Sequence, residues 1–218
     1  IRPVPSSTQT AIKIFLGAFT IWVGATTIWR SISGSFLQVL GQIGIALLAV
    51  VLGNVAGKLC RLQKTLNPLG RYARKKLEGA SQSPTRFNDG FLACTALYCA
   101  TPIAVLGSVL EGASADWRLL AIKAVMDGFA AMAFVTAFGG GVVLSSFPVL
   151  AWVGTLSLGA RWVAAALGSS AALHSLELTA GFLVLTVVLI VFELKRVELA
   201  DYLPALAVAP VLTWLLVG

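Results

Sequence analysis

Long apolar runs alternate with short polar breaks along this chain, and the runs have membrane length. A helix rises 1.5 Å per residue, so about 20 predominantly apolar residues cross roughly 30 Å of hydrocarbon. Windows of that size predict a first span over residues 11–29 and a second over 36–56, separated by Arg30 and a serine-rich turn at 31–35. A third covers 90–110, between Asp89 and Glu111. Pro102 after Thr101 predicts a kink in it, because proline brings no N–H to the helical ladder. Residues 119–160 carry only Lys123 and Asp127 as charges before Arg161 and are too long for one crossing. The triplet Gly139, Gly140 and Gly141 sets the turn, since each glycine costs a helix interior about 1 kcal/mol relative to alanine. Spans four and five are therefore expected over 119–138 and 142–166. After the polar linker GSSAALHS come a sixth span over 178–193 and a seventh from about residue 202, carrying Pro204 and Pro210. The expected fold is an all-α polytopic membrane protein of about seven transmembrane helices, one domain over 1–218 with a basic loop at 57–88.

Composition sharpens this. Hydrophobic residues make up 58% of the chain and charged ones 11%, against about 25% charge in soluble domains. A mean hydropathy of +0.90 excludes soluble enzymes, disordered tails, disulfide scaffolds and coiled coils. The net charge of +7 does not indicate nucleic acid, because the bases cluster in one loop between apolar segments. Lys58, Arg61, Lys64, Arg71, Arg74, Lys75, Lys76 and Arg86 are half of the 16 bases in the chain. By the positive-inside rule that loop is cytoplasmic. Alternation puts Lys195 and Arg196 inside too, with Glu111, Asp116, His174 and Glu177 outside. Leu59, Leu62, Leu66, Leu69, Ala73 and Leu77 recur at helical spacing opposite the bases, so the loop is expected to lie on the membrane as an amphipathic helix broken near Pro68. Such a helix serves as a lipid-headgroup anchor or docks a partner.

Enzyme chemistry finds little support. His174 is the only histidine, which removes histidine-based triads and paired-histidine zinc sites. An intramembrane carboxylate pair is missing because only Asp127 is deep. Gly53, Gly57 and Lys58 lack the spacing of a phosphate loop and read as small-residue helix packing. Cys60, Cys94 and Cys99 imply neither disulfides nor a metal site, and no cofactor is implied. Asp127 is the conspicuous residue, about nine residues or roughly 13 Å into its span, where a carboxylate costs at least about 2.5 kcal/mol. Lys123 sits one turn earlier on the same face, placed for an ion pair. Gly128 would let another backbone come close. Asn54, Gln42, Thr101, Ser145 and Ser146 are candidates for a polar path or for interhelical hydrogen bonds. Pro102, Pro148, Pro204 and Pro210, with the glycine triplet, mark places where carbonyls lose helical partners, as in the broken helices of transporters. The expected pathway set is Asp127, Lys123, Asn54, Thr101, Pro102, Gly128, Gly139, Gly140 and Gly141. The small residues Gly41, Gly44, Gly53 and Gly57 suit helix packing within the chain or across a homodimer.

The run from Gly17 through Gly24 and the run from Gly181 each precede a charged turn and a second apolar run, which suggests an inverted repeat. The segments FNDGFLACTALYCATPIAVLGSVLEG (87–112), KAVMDGFAAMAFVTAFGGGV (123–142), FPVL (147–150) and DYLPALAVAP (201–210) together resemble the YqgA/YdfK-like family of bacterial inner-membrane proteins, a family of unknown function. The resemblance implies a plasma-membrane location and a transport role, and brings no substrate with it. It also implies one more apolar helix before Ile1, giving eight spans and two inverted halves of four. The reading that follows is a small secondary transporter or ion-coupled carrier, its partners the lipid bilayer and a small solute or ion. A passive channel, or a scaffold acting through the basic loop, is the alternative.

Overall fold

The computed structural model describes residues 6–79, 86–167, 170–195 and 197–217, and among them there is no strand. α1 (Ser6–Ser31) and α2 (Phe36–Leu59) form a hairpin. Its turn passes through Gly34 at φ +103°, a left-handed value that favours glycine, and the Gln38 side chain accepts the Ser35 N–H at 2.8 Å to start α2. α3 (Leu62–Gly79) follows the left-handed Arg61. The next two helices are halves of a bent segment: α4 (Arg86–Cys99) and α5 (Pro102–Ser114) meet at 58°. α6 (Arg118–Phe138), the short α7 (Gly141–Leu144) and α8 (Ser146–Leu167) surround the glycine turn. α9 (Ser170–Val191), a 3-10 turn (Leu199–Tyr202) and α10 (Ala205–Val217) complete the chain.

Two groups of helices share one core. In the first, α1 lies antiparallel to α9, and α2 antiparallel to α10. Gly24 and Gly181 face each other where α1 and α9 cross, the carbonyl of each within 3.4 Å of where a methyl on the other would sit. Thr20, Thr27 and Ser31 are buried on α1, and their hydroxyls donate to carbonyls one turn earlier at 2.6–2.8 Å. Polar side chains thus enter the contact without unsatisfied hydrogens. The second group contains α4 to α8, with Gly112 of α5 seated on the Ser157 carbonyl of α8. Leu16 and Val23 of α1, Leu106 and Leu110 of α5, Ile122 of α6 and Val184 of α9 join the two groups in one apolar core. α9 is the centre: 61% of its membrane-length window is buried, against 17% in α2 and α6 and 22% in the α7–α8 segment.

Among the described residues, five helical segments are long and apolar enough to cross a membrane, or six with the bent α4–α5 pair as one span. The expected count of seven is not confirmed. α1 has the length, at 26 residues, and stands outside that count because several side chains in its first two turns lie outside the described residues. Other expectations also shift. α3 runs unbroken through Pro68. Pro68 and Lys64 are both exposed, so the carbonyl that loses its N–H partner stays open to solvent. The linker before the sixth span is already helical from Ser170, with the Ser175 hydroxyl folded back on the Ala172 carbonyl at 2.8 Å. The glycine turn is where the triplet places it, and Gly139 at φ +73° and ψ −152° adopts a conformation that suits only glycine.

Small-residue packing divides cleanly. A methyl at Gly53 would overlap the Ala205 backbone, and one at Gly57 the Asp201 carbonyl, so these glycines bring α2 onto α10 within one chain. Gly41 and Gly44 meet nothing within 4 Å.

Candidate intramembrane ion-pair site

α6 carries Lys123 and Asp127 one turn apart, and the Lys123 Nζ donates to Asp127 Oδ2. The side chain of Lys123 is 5% exposed and that of Asp127 21%. Burial of this depth is tolerable for a lysine only beside a counter-charge, which the helical spacing supplies. The ammonium also lies 5.8 Å from the centre of the Tyr98 ring on α4. Tyr98 belongs to a small second core with Cys94, Phe138 and Val142. Its hydroxyl has the Cys94 thiol beside it, and the hydroxyl of Thr95, three residues earlier on α4, is buried without a hydrogen-bond partner among the described residues. Just beyond, the helix breaks. Pro102 offers no N–H to the Tyr98 carbonyl, and the Thr101 hydroxyl donates to it instead at 3.0 Å.

The structure therefore gathers Lys123, Asp127, Thr101 and Pro102 in one region, where α4 and α6 meet beside the break. The rest of the expected pathway set lies elsewhere. Asn54 is on α2, which packs on α9, α10 and the 3-10 turn, and its side-chain oxygen is buried without a partner among the described residues. Gly139, Gly140 and Gly141 lie about 18 Å further along α6, where Gly141 seats the turn against the Phe87 carbonyl of α4. Gly128 is exposed with nothing within 4 Å, so no segment among the described residues uses the approach it offers. Ser145 and Ser146 spend their hydroxyls on the carbonyls of Val142 and Val143. Gln42 brackets the α1–α2 turn, accepting from the Ser33 N–H at 3.3 Å and donating to the Ser33 carbonyl at 3.0 Å.

Sequence reasoning did not find Tyr98, whose role depends on a contact between α4 and α6. It also missed a clamp at the other end of α6. Arg118 grips Asp116 with two guanidinium nitrogens, and its third donates to the Thr26 hydroxyl of α1 at 2.6 Å while the guanidinium stands 5.1 Å from the centre of the Trp22 ring. Burial works to raise the Asp116 carboxyl. The hydrogen bonds and charge of Arg118, with Arg30 adding to them, outweigh it and hold the group below the usual carboxylate range. At the opposite end of α1, Lys13 pairs with Glu193 at 2.6 Å. A cavity of about 230 Å³, lined by Ser33, Gln42, Ile45, His174, Ser175 and Thr213, opens where the α1–α2 turn meets α9 and α10.

Of the basic loop, Lys58, Arg61, Lys64, Arg71 and Lys75 are exposed, whereas Leu62 and Leu66 are half-buried. Leu59, expected on the apolar face, is exposed as well, because it ends α2 before the turn into α3. The side chains of Leu69, Ala73, Arg74, Lys76, Leu77 and Arg86, and all of Arg196, lie outside the described residues.

A bundle with several helices of membrane length and an ion pair enclosed between two of them defines a polytopic helical membrane protein. More particularly, the chain belongs to the family described as Protein of unknown function (DUF554), which matches residues 2–214. It is 28% identical over 167 residues to the Uncharacterized protein YqgA of Escherichia coli K12, covering 74% of this chain and 69% of that one. It is 20% identical over 171 residues to the Uncharacterized membrane protein YdfK of Bacillus subtilis 168, covering 78% and 70%. No solved structure matches the chain.

Proposed function

We propose that this protein is a small secondary transporter or ion-coupled carrier of the bacterial inner membrane, with α3 on the cytoplasmic side and Lys123 and Asp127 on the pathway. One observation carries the reading: a lysine and a carboxylate are kept within an apolar helix, against α4, next to the break at Thr101 and Pro102. Intramembrane ionisable pairs facing a bundle interior are the groups that transporters use to bind and move ions, and broken helices expose carbonyls beside them. The antiparallel pairing of α1 with α9 and of α2 with α10 supports the inverted relation between the two hairpins. The proposed activity is a non-enzymatic one.

The test is uptake into proteoliposomes across a panel of inorganic ions, amino acids and organic acids. Saturable flux that is lost in Asp127→Asn, with the variant still inserted and folded, is the expected result. Normal flux in the variant removes Asp127 from the mechanism, and flux that never saturates turns the reading to a channel.

A further inference from the structure

We infer that the Lys123 site takes a small monovalent anion, and takes it together with one proton on Asp127. The inference rests on the reading of this pair as part of a transport pathway and adds the chemistry of what is carried.

Charge conservation in a buried site leads there. At rest the pair is neutral, one ammonium against one carboxylate. Lys123 is 4% exposed and must keep a counter-charge in whatever state the site visits. An anion entering beside the intact pair would leave one negative charge uncompensated. An anion entering as Asp127 accepts a proton leaves the site neutral: the proton goes to the carboxylate, the hydrogen bond from Lys123 Nζ to Asp127 opens, and the ammonium passes to the anion. One proton balances one negative charge, which selects a monovalent partner over a dianion. A bound cation would instead require Lys123 to lose its proton. Lys123, with the centre of the Tyr98 ring 5.8 Å from its ammonium, serves as the fixed charge. Asp127, four times as exposed, is the member that reaches protons.

The lining agrees. On α4 the Tyr98 hydroxyl has only the soft Cys94 thiol beside it, and the Thr95 hydroxyl, one turn earlier, has no partner among the described residues. Buried donors normally have acceptors, and an anion beside Lys123 supplies one. The other titratable groups facing the pair also come from α4: Tyr98, with Cys94 against it, and Cys99. Among the described side chains, the remaining neighbours of α6 place no charge against the pair. The only ionisable residue of α5 is Glu111, near its far end, and α7 has none. On α1, Lys13 is paired with Glu193 and Arg30 acts on Asp116, while Lys64, Arg71 and Lys75 of α3 are exposed.

The experiment separates the anion site from transport. The melting temperature of the detergent-solubilised full chain is measured against chloride, nitrate, formate and lactate, with sulfate as the dianion. Asp127→Asn mimics the protonated state and should gain a saturable rise of several degrees with at least one monovalent anion and none with sulfate. Wild type should show the rise only at low pH, which covers a variant that fails to fold. The double variant Asp127→Asn with Lys123→Gln should lose it. A rise that survives in the double variant, or its absence from both Asp127→Asn and acidified wild type, overturns the inference whether or not the protein transports. Proteoliposomes then receive the anion that binds. Expected is uptake of one proton per anion with no response to an imposed membrane potential, and anion flux that carries net charge overturns the coupling. An anion site without flux of that anion leaves the site standing and ends the transporter reading.

Discussion

Gln63 and Asp201 lock together across 138 positions of chain: the Gln63 N–H donates to Asp201 Oδ1 at 2.8 Å, and the Ala200 N–H donates to Gln63 Oε1 at 3.3 Å. The first turn of α3 has N–H groups with no helical partner, and the buried Asp201 carboxylate serves one of them. The surface helix is thus fixed to the turn that starts α10. Asp201→Ala should cost about 1–2 kcal/mol and loosen α3, whereas Asp201→Asn, which keeps an acceptor, should lose less. Thermal unfolding in detergent, with limited proteolysis within α3, reads both effects.

The backbone contacts of α2 give a graded prediction. Gly53→Ala and Gly57→Ala each press a methyl into the backbone of residues 201–205 and should destabilise by about 1–3 kcal/mol. Gly41→Ala, on the open face of the same helix, should leave stability unchanged or slightly raised. Equal effects in all three would mean that α2 does not pack on α10 as described.

Acid should weaken the clamp between α6 and α1. The Asp116 carboxyl is held below its usual range, so its contribution is complete above the unfolded value of about 3.9 and is lost as pH falls through the folded value. Melting curves of wild type and Asp116→Asn should therefore differ at neutral pH and converge as the pH drops below about 4. Parallel curves across that range would show that the Arg118 contact contributes nothing to stability.

Orientation can be read from one side chain. Cys60 is a free, exposed thiol at the turn between α2 and α3, while Cys94 is buried. A membrane-impermeant maleimide should label Cys60 in inside-out vesicles and not in right-side-out ones. The reverse pattern would place α3 outside the cell and overturn the proposed orientation.

The features legible in the sequence are those set by local backbone chemistry. Pro102 breaks a helix wherever it falls inside one, the glycine triplet must turn, and a four-residue spacing brings Lys123 to Asp127. What depends on helices far apart in sequence was not legible. Arg118 and Thr26 are 92 positions apart, and nothing in either segment announces the other. Gly128 shows the limit from the opposite side: the residue type permits close approach, but only the fold decides that the described residues make none there. The half-buried Pro102 and the buried Tyr98 share a region that spacing alone could not assemble, since it needs α4 laid against α6.

The pairing of α1 with α9 has a consequence for how the protein is made. α1 finds its principal neighbour only once Ser170–Val191 has been synthesised, more than a hundred residues after Ser31. At about 5–20 residues per second that is a wait on the order of 10 s. Through it, the buried hydroxyls of Thr20, Thr27 and Ser31 stand in the nascent chain without the helix that later covers them, although each already has its acceptor one turn back. Those internal bonds let α1 be held in or beside the bilayer while the ribosome finishes the chain. Final assembly is therefore a late event in biogenesis, and it is reached when the most enclosed helix arrives.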